Sequence, residues 1–177
     1  MFEIDPDVLL YQSIGIIGFA CGCYAFAEKD SRKFKLKLGV FNSVMIIHFV
    51  LMGAYTSAGV IFVAALRTFI STYTKSTAVM LTCMTAIVFA GAYTLSSHSE
   101  ILTIVGAVIG TYALFKLDGV VMRVCILVNS LCWFINNLLL GSIGGIAAEL
   151  IFIVINITTI FRLLAIRSLE GQYSVER

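Results

Sequence analysis

Two charged residues, Arg67 and Glu149, stand within long apolar stretches of the sequence, where ionised side chains are rare. Counted at 1.5 Å per residue, Arg67 is expected about 15 Å deep, near the middle of a bilayer. An arginine at that depth costs at least about 2.5 kcal/mol and is usually paired or lines a wet cavity. Two interpretations stay open. In the first, Arg67 is structural, either as an ion pair with Glu149 or as a cap on the carbonyls of a neighbouring helix. In the second, Arg67 binds an anionic or hydrogen-bonding group of a solute. Glu149 would then be a counter-ion or a proton carrier.

Asparagine and tryptophan side chains add polar stripes to two later segments. Asn129, Trp133 and Asn136 are spaced i, i+4, i+7, and Glu149 and Asn156 are seven residues apart, so each set shares one helix face. Stripes that faced lipid would be costly. They predict a solute site in which asparagines orient the solute and Trp133 stacks on it. The alternative is Asn-mediated helix packing, worth about 0.6 kcal/mol per contact, with Trp133 packed in the core.

Asn42 and His48 lie in an earlier apolar stretch and complete the candidate substrate-binding set. His48 is either a hydrogen-bonded structural residue or part of a pocket or proton relay. The sequence has no nucleophile–base motif, HExxH, Walker loop or Rossmann fingerprint, and its five cysteines form no CxxC pair. We therefore expect no enzyme, no cofactor, no metal site and no disulfide framework. A membrane enzyme that uses Glu149 and His48 stays open as a third interpretation.

The composition indicates where these residues must lie. The chain has 177 residues, of which 60% are hydrophobic and 12% charged, whereas soluble domains are about half apolar and about a quarter charged. A helix needs about 20 apolar residues to cross the hydrocarbon core. The predicted fold class is an all-α integral membrane protein with seven transmembrane helices, at roughly 8–27, 38–54, 58–74, 77–95, 100–117, 121–140 and 143–163. The start is acidic, so we expect the first span to be retained.

The lysines and arginines predict the orientation. The connections near 54–57, 96–99 and 141–142 contain none, and of the twelve cations only Arg67 lies away from the connections and the span ends that adjoin them. By the positive-inside rule, the N-terminus lies outside and the C-terminus in the cytoplasm. Lipid head-group binding is a second interpretation of the basic first loop. The cations that fall in or beside the other connections and the C-terminal end are Lys29, Arg32, Lys33, Lys35, Lys37, Lys75, Lys116, Arg123, Arg162, Arg167 and Arg177.

A shift of 88 residues aligns the first part of the sequence with the second. Ungapped, residues 14–74 lie over residues 102–162 with ten identical positions, among them Gly18/Gly106, Gly22/Gly110 and Gly53/Gly141. This pattern predicts two parallel three-helix repeats, residues 1–76 and 97–177, joined by a linker helix at 77–96. The matching GxxxG pairs predict close packing within each repeat, which leaves the groove between the repeats as the binding site.

A family resemblance is carried by two long segments, FKLKLGVFNSVMIIHFVLMGAYTSAGVIFVAALRTFIS and MRVCILVNSLCWFINNLLLGSIGGIAAELIFIVINITTIFRLL. Together they resemble the bacterial inner-membrane YgjV family, most specifically in ALRTFIS around Arg67, in NNxxxGSIGG and at Glu149. The resemblance covers nearly the whole chain. It implies a bacterial inner-membrane protein and little about chemistry, because the family has no settled activity.

The chain is also distantly similar to SWEET, PQ-loop and PnuC-type transporters, which share a three-plus-one-plus-three helix plan. That resemblance implies a central pocket faced by Arg67, Asn156 and Trp133. The chain departs from the SWEET pattern because Pro6 is its one proline, and because Arg67 stands where an asparagine is typical. The second departure favours an anionic or zwitterionic solute over a neutral sugar. Such transporters often form dimers or trimers, so a homo-oligomer stays open.

Taken together, these observations predict a small inner-membrane transporter. It would move a small polar solute, anionic or zwitterionic, by facilitated diffusion or proton coupling, with its site between the repeats. The expected partners are membrane lipid and the solute, and not nucleic acid. The main alternative is a non-transporting membrane subunit or assembly partner, in which the polar residues are structural contacts.

Overall fold

The computed structural model describes residues 5–26, 28 and 31–175, without the side chains of residues 31, 32, 34, 35 and 167–175. Across these described residues there is no β-strand, and the all-α prediction is confirmed. A 3-10 helix at His98–Glu100 precedes the fifth helix. The α-helices are α1 (Pro6–Phe26), α2 (Ser31–Leu51), α3 (Tyr55–Ile70), α4 (Thr77–Thr94), α5 (Ile101–Lys116), α6 (Gly119–Leu140) and α7 (Ile143–Val175).

Helix ends differ from the hydropathy boundaries mainly in α2, α3 and α7. The α2 helix starts at Ser31 instead of 38, and α7 continues to Val175 instead of 163. Hydropathy marks the part of a helix suited to hydrocarbon, whereas lysine and arginine are good helix formers and extend the helices beyond it. The α3 helix starts at Tyr55 instead of 58 because Gly53, with φ +72°, ends α2 in a left-handed turn.

Several helices are suited to a membrane by length and composition. Two apolar helical segments, Leu36–Leu51 and Tyr55–Ile70, have only 10–17 residues each. Buried residues on α4 recur at Met80, Cys83 and Ile87, and the rest of that helix is largely exposed and apolar, as expected of a lipid-facing surface. Within the part of the chain that the structure describes, five segments are long and apolar enough to cross a bilayer, namely Pro6–Phe26, Thr77–Thr94, His98–Lys116, Gly119–Leu140 and Ile143–Ile166.

Six of the helices pack in a ring. In order around the ring they are α1, α2, α3, α5, α6 and α7, and α7 contacts α1 to close it. The α4 helix packs against α3 and α5. Glycines allow the close contacts within the ring: a Cβ at Gly18 would lie 2.6 Å from the sulfur of Met45 on α2, and a Cβ at Gly106 would lie 2.9 Å from Cys132 Cβ on α6. The two GxxxG pairs thus serve packing of α1 on α2 and of α5 on α6.

The connections define two ends of the bundle, because consecutive helices pack against each other across short turns. The basic end holds the α1–α2, α3–α4 and α5–α6 connections and the cations Lys75 and Lys116 in or beside them. The non-basic end holds the α2–α3, α4–α5 and α6–α7 connections, which contain no lysine or arginine. Lys29, Arg177 and the side chains of Arg32, Lys35 and Arg167 belong to the predicted charge map but lie outside the part of the chain that the structure describes.

Candidate functional site

A cavity of about 610 Å³ lies inside the six-helix ring. All six ring helices contribute to its wall, and α4 contributes none of its residues. The cavity reaches the basic end, where Glu28, Lys75 and Asp118 line it, and it stops short of the connections at the non-basic end. Its volume falls within the range typical of small-molecule sites.

Arg67 lies in the last turn of α3, and its guanidinium is buried against α5. With α3 starting at Tyr55, the Arg67 backbone is about 18 Å from the non-basic end of its helix, a little deeper than the sequence predicts. Its side chain points back toward that end, as helical side chains do. Nη1 donates to the Thr111 hydroxyl at 2.8 Å and to the Ala107 carbonyl at 3.2 Å, both in the middle of α5, and Nε donates to Ala64 O at 3.4 Å.

Glu149 lines the same cavity from α7, and its side chain is also buried. Its carboxyl contacts the Ser130 hydroxyl of α6, and its Oε2 atom has no hydrogen-bond partner. Arg67 and Glu149 do not form an ion pair, because the hydrogen bonds of Arg67 go to neutral acceptors. The bond to the Ala107 carbonyl of α5 is the contact with a neighbouring helix that the sequence also leaves open. The ring therefore holds a cation and an acid that face one cavity without neutralising each other.

The α6 helix supplies the wall between these two groups. Asn129 and Trp133 line the cavity as predicted, and Asn137 lines it one turn further on. The Trp133 ring lies 5.9 Å from the Phe49 ring between centroids, so the two form an aromatic wall towards the closed end. Asn129 packs on Gly110 of α5, beside Arg67 Nη1. The Asn137 Oδ1 atom lies over Gly145 of α7, where a Cβ would approach it to 2.4 Å.

Asn156 and Asn42 line the cavity closer to the basic end. The Asn156 amide donates to the Phe152 carbonyl at 2.8 Å, and its Oδ1 accepts from Arg123 Nη1 at 3.4 Å. In the sequence, Arg123 contributes only to the predicted membrane orientation. In the structure it also lines the cavity, as a second arginine. Its position four residues into a helix that begins at Gly119 explains the difference, since the predicted α6 span began only at 121.

His48 and Asn136 lie outside the cavity lining, unlike the other six predicted site residues. Both are fully buried at the non-basic end. Asn136 Nδ2 donates to the Ser57 hydroxyl at 3.0 Å. The His48 ring bonds the Tyr11 carbonyl through Nδ1 at 2.6 Å and the Ser142 hydroxyl through Nε2 at 2.7 Å. These contacts tie the helices together where the cavity ends, so both residues hold structural positions.

A glutamine strengthens the same closed end. Gln12 of α1 donates to the Gly141 carbonyl at 2.7 Å and accepts from the Ile143 amide at 3.1 Å, which fixes α1 to the α6–α7 turn. Beside it, Glu100 Oε2 accepts from Thr56 Oγ1 at 2.9 Å and from Ser96 Oγ at 2.7 Å, and links α3 to the α4–α5 connection. The protein is thus closed by hydrogen bonds at the non-basic end, and the cavity extends to the basic end.

The cavity wall follows the 88-residue spacing found in the sequence. Twelve lining residues come from the first half of the chain, and ten of them have a lining residue 88 positions later, the exceptions being Glu28 and Lys75. Residues at equivalent positions therefore face the same space from opposite sides. The ten pairs are Phe26/Leu114, Leu38/Ile126, Phe41/Asn129, Asn42/Ser130, Met45/Trp133, Phe49/Asn137, Ile61/Glu149, Ala64/Phe152, Arg67/Ile155 and Thr68/Asn156.

The chemistry available in the cavity is recognition of polar groups. Among the described residues, no three His, Cys, Asp or Glu side chains come together in a way that could hold a metal ion. The wall offers one buried guanidinium, one buried carboxyl, several amides and hydroxyls, and an aromatic surface. Such a set can bind a small solute that has both polar and apolar parts.

The fold and cavity define an all-helical membrane protein with several apolar helices and an internal cavity lined by both apolar and polar side chains. Comparison with known proteins then identifies the family: the model of the family Imp-YgjV, described as bacterial inner membrane protein, matches residues 9–166. The chain is also 35% identical over 156 residues to Inner membrane protein YgjV of Escherichia coli (strain K12), covering 86% of this chain and 84% of that protein. It therefore belongs to the YgjV family of bacterial inner membrane proteins, as its sequence segments predict.

No solved structure matches the chain. The distant likeness to SWEET, PQ-loop and PnuC-type transporters therefore stays a prediction.

Proposed function

We propose that this protein is a small inner-membrane transporter for a small polar solute that carries an anionic or zwitterionic group. The observation that carries the proposal is the separation of Arg67 from Glu149 across one cavity. A buried charge without a charged partner is costly, and in membrane proteins such residues usually mark a solute or ion pathway. Transport would be by facilitated diffusion or by coupling to a proton carried on Glu149.

We further propose that the chain consists of two parallel three-helix repeats, 1–76 and 97–177, joined by a linker helix at 77–96, with all seven helices crossing the membrane. The ring supports this, because the contact of α3 with α5 is equivalent to the contact of α7 with α1 under the 88-residue shift. The ten equivalent pairs on the cavity wall support it too. Gly53 and Gly141 add a conformational match, since they are 88 residues apart and have φ values of +72° and +70°.

The orientation belongs to the same proposal. With seven crossings, the basic end faces the cytoplasm and the non-basic end faces the outside, so the N-terminus is outside and the C-terminus inside. The cavity would then be accessible from the cytoplasm in this conformation. Transport would require that the hydrogen bonds at the non-basic end open while the basic end closes, which is the alternating access expected of two repeats that rock about a central site.

Solute binding provides the direct test, and Trp133 provides the signal because it is the one tryptophan in the chain. The purified protein would be titrated with sugar acids, amino acids, nucleosides and vitamins while Trp133 fluorescence and thermal stability are recorded. A ligand of the folded state raises stability by mass action. Any compound that binds would then be tested for uptake into proteoliposomes that contain the protein.

Matched arginine variants separate transport from the alternative role. We expect Arg67→Ala to abolish binding and uptake, and Arg162→Ala, an exposed arginine near the basic end of α7, to leave both intact. A non-transporting subunit would behave differently: no solute would shift Trp133 fluorescence, no uptake would occur, and Arg67→Ala and Glu149→Gln would destabilise the protein equally.

A further inference from the structure

The cavity has two chemically different sides. Asn129, Asn137 and Glu149 occupy positions whose equivalents 88 residues earlier are Phe41, Phe49 and Ile61. Both members of each pair line the cavity. The first repeat therefore packs with apolar side chains at the places where the second repeat presents polar ones.

The acceptor side lies on α6 and α7. Glu149 Oε2 and Asn137 Oδ1 are buried acceptors without a hydrogen-bond partner. They sit on adjacent turns, because Asn137 Oδ1 lies over Gly145 and Glu149 is one turn further along α7. The terminal torsion of a glutamate side chain is broad, so the carboxylate can turn toward the cavity without changing its other rotamers. Buried acceptors of this kind require a donor.

The donor side lies across the cavity on α3. Arg67 uses Nε and Nη1 for its bonds to Ala64, Ala107 and Thr111, and none of these bonds uses Nη2. The acceptors are neutral, so the positive charge is not compensated. The Nη2 group can therefore donate a charge-assisted hydrogen bond to a carboxylate. Between the two sides stand the rings of Trp133 and Phe49, which suit an apolar solute body or a cation placed against a ring face.

We propose that the solute is a small zwitterion, with its carboxylate on Arg67 and an ammonium group on Glu149 and Asn137. This inference rests on the proposed function and narrows its substrate class. An ammonium group has three donors and no acceptor, which matches a side of the cavity that presents unpartnered acceptors and an acid. An anion without a positive group would leave these acceptors without donors and would place a second negative charge near Glu149.

Matched sets of ligands test the assignment on the purified full-length chain, with Trp133 fluorescence as the readout. One set is L-leucine, 4-methylpentanoate and 3-methylbutylamine, and the other is 5-aminopentanoate, pentanoate and pentylamine. The two sets differ in the spacing between the charged groups, and within each set the analogues lack one group. We expect one zwitterion to bind at least about tenfold more tightly than both of its analogues, as the loss of a charge-assisted hydrogen bond predicts.

Two variants assign the groups. Glu149→Gln should weaken binding of the zwitterion about tenfold and leave binding of the carboxylate analogue unchanged. Arg67→Gln should weaken binding of both compounds. Asn137→Leu, close in size to the native residue, serves the same purpose if Glu149→Gln does not fold. Asp7→Asn is the control, because it removes the same charge at the exposed start of α1. It should leave binding of both the zwitterion and the carboxylate analogue unchanged.

Each contrary outcome has a distinct meaning. Equal binding of a carboxylate and its zwitterion, or an equal effect of Glu149→Gln on both, overturns the ammonium site but leaves an anion transporter. Silence with all six compounds also overturns it. The transporter proposal itself falls only if the broader binding and uptake screen is silent as well.

Discussion

The guanidinium of Arg67 is held by the hydroxyl of Thr111, which accepts a 2.8 Å hydrogen bond from Nη1. The Ala107 carbonyl, one turn earlier on α5, accepts a second bond from the same atom. The α5 helix thus fixes the charged group of an α3 residue at the cavity wall. Because neither acceptor is charged, the arginine is positioned without being neutralised.

The Thr111 contact can be removed with little change of shape. Thr111→Val should lower the free energy of unfolding by about 1–3 kcal/mol, because a buried charged donor loses an acceptor. Denaturant unfolding in detergent would measure the change. Thr158→Val is the control, since the Thr158 hydroxyl is exposed and bonds only carbonyls of its own helix. Equal effects of the two substitutions would show that the Arg67–Thr111 bond adds nothing specific.

The crossing of α1 and α7 depends on two glycines in backbone contact. A Cβ at Gly144 would lie 2.1 Å from the carbonyl carbon and oxygen of Gly15, and backbone atoms cannot move aside as a flexible side chain can. Gly144→Ala should therefore destabilise the protein by about 1–3 kcal/mol or more, as overpacking does. Thermal unfolding would measure the effect.

Gly59 offers the matched control within α3. The nearest atom to a Cβ at that position is 3.8 Å away, so there is room for a methyl group. Gly59→Ala should be neutral or stabilise the protein by about 0.5–1 kcal/mol, because alanine favours the helix interior. A Gly144→Ala protein as stable as the Gly59→Ala protein would contradict the close crossing of α1 and α7.

The sequence was sufficient to predict the helical class, the number of helices and the family. It placed six of its eight site residues on the cavity wall, because polar residues in apolar helices are few and their spacing marks a face. It assigned Asn136 to the stripe of Asn129 and Trp133, whereas Asn137 lines the cavity. Both residues fit a helical face through Trp133, at i+3 and i+4, so spacing alone does not separate them.

Other features required tertiary contacts that no sequence pattern encodes. Neighbouring asparagines face different helices because Gly145 leaves space for the Asn137 side chain while Ser57 offers a hydroxyl to Asn136. The structural position of His48 depends on Ser142 and on the Tyr11 carbonyl, which are distant in sequence. Whether Arg67 and Glu149 pair depends on the width of the ring, since each residue alone fits either arrangement.

Labelling of single cysteines would test the proposed orientation. In a background without Cys21, Cys23, Cys83, Cys125 and Cys132, all of which are free thiols, His98→Cys would report the non-basic end and Ser76→Cys the basic end. Both positions are exposed in connections or beside them. In intact cells, a membrane-impermeant maleimide should label position 98 and should label position 76 only after permeabilisation. The reverse pattern would invert the orientation, and equal labelling of both in intact cells would contradict the membrane topology.

The hydrogen bond between His48 and Ser142 joins α2 to the α6–α7 turn at the closed end of the cavity. Ser142→Ala should lower the free energy of unfolding by about 1–3 kcal/mol, because it leaves a fully buried imidazole nitrogen without its partner. Ser43→Ala is the control, since the Ser43 hydroxyl bonds the Gly39 carbonyl of its own helix. A double-mutant cycle with His48→Phe would isolate the pair. If the two substitutions are additive in that cycle, the bond does not hold the end closed; a clear coupling would assign the closure to this pair.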